Sequence, residues 1–175
     1  MAILGVDDFK SKLTGGGARA NLFKATVNFP SYVNSDVELT SFLCKGASLP
    51  ASTITSIEIP FRGRKLQMAG DRSFEPLSLT IINDANFIVR NSFEQWANGI
   101  NNFSENTGLA HMNDYIADVV VEQLNKAGEV VKKYDFRGCW PSSISTIDVN
   151  YDTENTIEEF TVELQVQYWE SNTTS

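Results

Sequence analysis

The residues able to do covalent or hydrolytic chemistry are few and scattered. His111 is the only histidine and lies in a polar stretch with no motif around it, whereas an activated nucleophile needs a base held within reach. Glu158, Glu159 and Glu163 could be drawn as an acid and base pair. Glu159 and Glu163, however, share the polar side of an alternating segment and read as a solvated or channel-facing strip. Cys44 and Cys139 stand alone, without a CxxC pair, so structural zinc, which takes about four such ligands, is set aside. They read as small buried hydrophobes in a reducing compartment. Gly15-Gly16-Gly17 and Gly63-Arg64-Lys65 both lack the GxxxxGK[ST] pattern that wraps phosphates. The residues imply no catalysis, no cofactor and no metal.

One cluster is concentrated enough to do something else. Arg62, Arg64, Lys65 and Arg72 gather four cations in a chain with 22 acidic and 14 basic residues and a formal charge of −8. No aromatic platform is interleaved with them, so a single-stranded nucleic-acid site is disfavoured. The acidic balance also disfavours gripping DNA or an anionic membrane. A second copy of the same acidic chain is the natural partner, with scattered solvated charges as the alternative.

The elements that must position these residues are mostly strands. With 175 residues, 42% of them hydrophobic, the chain has the material for one core. Residues 1–20 read as a glycine-rich arm, either disordered or docked on a neighbour, residues 21–170 as the domain and 171–175 as a short tail. No run approaches the ~20 apolar residues of a spanning helix, so a soluble, cytoplasmic start is expected. Phe23, Ala25, Val27 and Phe29 alternate as a strand. Leu39 to Lys45 reads as a second strand, followed by a turn over Gly46 to Pro50. Ile57, Ile59 and Phe61 alternate with Glu58 and Pro60 ahead of Leu66 and Met68, suggesting a protruding hairpin or long loop.

Leu77 to Ile81 reads as a strand, and Asp84 as the N-cap of a helix whose stripe is Ala85, Val89, Phe93, Trp96 and Ile100. Phe87 falls off that stripe near Arg90, either exposed or covered by something outside the domain. Asn101 to Asn113 reads as a loop, Tyr115 to Leu124 and Val130 to Arg137 as a hairpin broken by Trp140-Pro141, and Ile144 to Val149 as a further strand. Thr156 to Trp169 reads as one long strand with Phe160, Val162, Leu164, Val166 and Tyr168 on one face. Glu159, Thr161, Glu163, Gln165 and Gln167 form the other. The fold class is mainly β: an antiparallel sandwich or barrel-like arrangement with one flanking helix.

The order of short landmarks resembles the tail tube proteins of T-even-type contractile-tailed bacteriophages. These are Asn21-Leu22-Phe23, Cys44-Lys45 with Leu49-Pro50, Arg64-Lys65, Ala69-Gly70-Asp71-Arg72 with Phe74, Asn83-Asp84, Gly138-Cys139-Trp140-Pro141 and Tyr168-Trp169-Glu170. The resemblance implies a fold shared with the haemolysin-coregulated protein of type VI secretion and with bacteriocin tubes. It implies hexameric rings stacked around a channel that holds a tape measure protein and later DNA. It implies further a contractile sheath outside, a baseplate that initiates growth, and a product that is part of the virion.

On that footing the expectations are ring stacking through Arg62, Arg64, Lys65, Asp71 and Arg72, and a lateral helix contact through Phe87 and Arg90. Glu159, Thr161, Glu163, Gln165 and Gln167 line the channel or, equally, face the sheath. The arm and the loop 101–113 depart from the family pattern and inherit nothing from it. Competing readings are a secretion or bacteriocin tube, and a monomeric β-sandwich that binds carbohydrate through Trp96, Trp140 or Trp169.

Overall fold

The computed structural model describes residues 5–13 and 16–174; part of the glycine run therefore lies outside the described residues. Among those described there are nine strands and four helices, so the expected single helix is corrected to four. Most of the strands form one antiparallel sheet. Its order is β1 (Phe23–Val27), β6 (Ala117–Leu124), β7 (Val130–Ile144), β8 (Glu159–Gln165), β5 (Leu77–Ile82) and β2 (Cys44–Ser48), with β9 (Tyr168–Ser171) added on β7.

The sheet folds on itself because β7 serves two halves. Its first part pairs with β6 and β9 and its last part, Trp140 to Ile144, with β8. The corner lies at Gly138, whose φ of 61° is open to glycine. A Cβ there would lie 2.8 Å from Cγ of Gln167. Asp118 fastens the corner, accepting from the Gly138 amide at 3.1 Å and from Arg137 Nη1 at 2.6 Å. The strand thus runs through Trp140-Pro141 instead of breaking there. Pro141 is tolerated because it sits at a register shift, opposite Leu164.

Between the two halves lies a core of Val27, Leu79, Val119, Phe136, Phe160 and Leu164, closed by α3 (Ile88–Ile100). Val89, Phe93 and Trp96 of the expected stripe are fully buried, and Trp96 Nε1 donates to the Tyr115 carbonyl at 2.6 Å. Ala85 precedes the helix, and Phe87 occupies the cap position with φ 57°. Asp84 still serves the terminus, accepting weakly from the Val89 amide at 3.4 Å.

Four further expectations change. Leu39 to Leu43 belong to a helix, α2 (Val37–Leu43), because Asp36 caps it through the Leu39 amide at 2.9 Å. Leu39 and Leu43, one turn apart, both meet the core. The turn expected over Gly46 to Pro50 is largely β2. Ile144 ends β7, so 145–158 is a loop. The long final strand is two, bent at Val166 and Gln167 by the same corner that bends β7. A fourth short helix, α4 (Met112–Tyr115), closes the polar stretch, and α1 (Val6–Lys12) forms within the arm. Ser171, the first residue of the expected tail, is buried at the end of β9.

Candidate functional site

The chemistry-bearing side chains do not converge. Among the described residues no three His, Cys, Asp or Glu gather as a metal set, and no helix is long and apolar enough to cross a membrane. His111 merely precedes α4. Cys44 and Cys139 are both free. Burial pushes the Cys44 thiol up to about 11. Burial, with the Asp118 charge as a smaller cause, pushes Cys139 up to about 12. Thiols so protonated are poor nucleophiles.

What the chain presents instead is a hairpin with an unpartnered apolar face. β3 (Ser52–Phe61) and β4 (Arg64–Phe74) form a separate two-stranded sheet, joined by a two-residue turn at Arg62 and Gly63 with φ 45° and 83°, the left-handed pair that hairpin twist favours. Ile57 stands opposite Met68 and Ile59 opposite Leu66, so these four share a face with Phe61. All five are exposed, Phe61 to 66%. On the other face Lys65 pairs with Glu58 at 2.6 Å, and Gln67 donates to the same carboxylate at 2.9 Å. These bonds hold the Glu58 carboxyl below its ordinary range. Half-exposed side chains of this kind, five together, stand to gain about 4–7 kcal/mol from being covered. An isolated hairpin this long is marginal in water without such cover.

The five residues expected to stack are thus distributed along the hairpin. Arg62 lies over the Phe61 ring at 5.4 Å and Arg64 opens β4 beside it. Lys65 is engaged with Glu58, while Asp71 and Arg72 lie near the base, where the Asp71 carbonyl accepts from the Thr55 hydroxyl at 3.1 Å. The hairpin leaves the main sheet between Ser48 and Leu77. Because β2 and β8 both run antiparallel to β5, with Ser48 opposite Ser78 and Leu77 opposite Leu164, that root lies at one end of the sheet. Glu159, opposite Ile82, lies at the other end, about 17 Å away.

The outer face of β2, β5, β8 and the last part of β7 is small and polar. Ser48, Ser78 and Glu163 lie in one cross-strand row that reaches Ser143, and Thr80 and Thr161 in the next. Glu159, Thr161, Glu163 and Gln165 are therefore brought together on it, and Lys45 neutralises Glu159 by an ion pair. Gln167 leaves the row: it sits at the corner, its amide donating to the Arg137 carbonyl at 3.1 Å. Phe87 is partly exposed beside Ile88. Arg90 is used within the chain, donating to Glu94 at 2.9 Å and to the Ser145 carbonyl at 3.2 Å, with its guanidinium 5.3 Å from the Phe160 ring centre.

Three surfaces escaped the sequence reading. α1 carries Val6 and Phe9, with Leu13 at its C-cap, on one exposed stripe, a helical spacing legible in the sequence. The edges of β1 and β2 each have one partner among the described residues. Clefts of about 570 and 760 Å³ open along them beside Phe23, Lys45 and Phe42. Strand pairing across such a distance has no local signal.

The architecture and the sequence have clear relatives. A family model described as phage tail tube protein matches residues 9–172. Tail tube protein gp19 of Enterobacteria phage T4 is 32% identical over 168 residues, covering 94% of this chain and 99% of that protein. The tail tube protein of Serratia phage KSP90 is 31% identical over 165 residues, covering 91% and 93%. The fold is that of a chain in the PVC sheath-tube complex of an extracellular contractile injection system, with TM-score 0.69 at 14% identity over 93% of this chain and 96% of that one. A chain of the anti-feeding prophage baseplate gives 0.65 at 19% identity, covering 89% and 95%. With a family model and relatives that match nearly its whole length, the chain belongs to the phage tail tube protein family.

Proposed function

We propose that the chain acts without catalysis, as the repeating subunit of hexameric rings stacked into the tube of a contractile phage tail. The observation that carries this is the hairpin: an apolar face left bare on an element rooted at one end of the sheet, where a neighbouring copy can cover it. A head-to-tail contact that does not close on itself propagates as a filament.

Laterally, the β2 edge of one copy pairs with the Trp140–Ile144 edge of the next. That would join the polar faces of successive copies into one barrel wall. Phe87, with Ile88, adds a lateral contact, while Arg90 braces it from within its own chain. The wall so formed carries Ser48, Ser78, Thr80, Thr161 and Gln165, with Glu159 matched by Lys45 and Glu163 in no ion pair among the described residues. It offers phosphates no cation cluster and a weakly negative field, so DNA slides past instead of sticking. Before ejection the same channel holds the tape measure protein. The sheath grips the outside and the baseplate provides the first ring.

Negative-stain microscopy of the purified chain, alone and added to tail baseplates, tests this reading. Tubes with a stain-filled channel are expected; a protein that remains monomeric under both conditions would contradict it.

A further inference from the structure

The loop 145–158 lies at the end of the sheet opposite the hairpin root, since it joins Ile144 of β7 to Glu159 of β8. Its composition mirrors the hairpin. It contains Asp148, Asp152, Glu154 and Glu158 and no Lys or Arg, whereas the hairpin from Ser52 to Phe74 carries four cations against two acids. Among the described residues Asp148, Asp152 and Glu154 enter no ion pair, and neither do Arg62, Arg64 and Arg72. Three unmatched acids at one end therefore answer three unmatched cations at the other.

The apolar surfaces answer each other too. Val149, Tyr151 and Ile157 project from the loop, Tyr151 fully exposed. The loop is nonetheless held at both roots. Arg90 grips the Ser145 carbonyl, and the Ser145 amide donates to Thr161 at 2.8 Å. Asn83 holds Glu158 through its backbone amide at 2.8 Å and its side chain at 3.0 Å. A seat anchored in this way loses little freedom when a partner covers it.

We propose that loop 145–158 is the seat for the hairpin of the adjoining copy, with Asp148, Asp152 and Glu154 meeting Arg62 and Arg64 around an apolar centre at Tyr151. The proposal rests on the tube reading above and names the counterpart that reading leaves open. The β1–β2 cleft of the neighbour is the competing seat.

The test is a charge swap read by sedimentation and microscopy of tubes, with thermal unfolding of the soluble fraction as the check on folding. Arg62→Glu with Arg64→Glu, and separately Asp152→Lys with Glu154→Lys, are each expected to lower tube mass about tenfold or more. The quadruple variant is expected to recover most of it. If the loop pair assembles like the unaltered chain while the hairpin pair does not, the loop is not the seat and the tube reading stands. If both assemble normally, the hairpin contact itself is wrong.

Should a charge variant fail to fold, a chain with Arg64→Cys and Asp152→Cys replaces it. Oxidised tubes should give a ladder of dimers, trimers and longer chains on a denaturing gel, because the two positions lie at opposite ends of one subunit. Monomer alone would overturn the seat.

Discussion

Gly138 shows how much a single residue can decide in this fold. With φ 61° and a Cβ position 2.8 Å from the Gln167 side chain, it allows β7 to pass from one half of the sheet to the other. Gly138→Ala should lower stability by about 1–3 kcal/mol, read as a shift in the denaturant midpoint of the soluble subunit. The neighbouring thiol gives a pH prediction. Burial raises Cys139 from 9.0 to about 12 and Cys44 to about 11, so the folded chain holds these protons more tightly than the unfolded one. Their contribution is complete below pH 9 and is lost as pH climbs toward 11 to 12. Cys139→Ala should flatten part of the alkaline fall in unfolding temperature, and alkylation of Cys139 should require unfolding. Their solitary positions in the sequence already suggested buried, inert cysteines; the corner beside Cys139 did not show, because Gln167 is distant in sequence.

Among the elements, the hairpin is separable. Among the described residues β3 and β4 pair only with each other, and the Phe74 ring meets Trp169 at 6.1 Å at the base. Replacing residues 54–72 by a short Gly-Ser link should leave the unfolding temperature of the subunit within a few degrees and abolish tubes. A loss of folding on that replacement would show that the hairpin belongs to the core. A milder change, Ile59→Asp, should act in the same direction, since it puts a charge on the face to be covered.

The hairpin is legible as alternation in Ile57, Ile59 and Phe61, but in the sequence the stacking role falls to its charged residues, Arg62, Arg64, Lys65, Asp71 and Arg72. The apolar face became visible only once Met68 and Leu66 were seen opposite Ile57 and Ile59. The helix over Val37–Leu43 reads as a strand in the sequence because Leu39, Phe42 and Leu43 are as compatible with a short strand, and the Asp36 cap decides. The long final strand failed for a related reason: its alternation survives in the sequence across Val166 and Gln167, whereas the backbone turns there.

At the scale of the molecule, the proposed function rests on the relation between its two ends. The hairpin root and the acidic loop lie at opposite ends of β5 and β8, so with the proposed contact copies add in one polarity. The sheet between them turns one face to the core and the other, with Glu163, outward. Raising ionic strength should weaken growth, because ends bearing unmatched Arg62 and Arg64 against Asp148, Asp152 and Glu154 attract through a screened field. Turbidity or sedimentation across a salt series checks this, with slower growth expected at high salt.

A density map of the assembled tube at side-chain resolution tests the central claim most directly. The hairpin is predicted to cross into the next ring, with Ile57, Ile59 and Phe61 covered and Glu163 facing the channel. A hairpin confined to its own ring, or Glu159 and Glu163 turned toward the sheath, would contradict it.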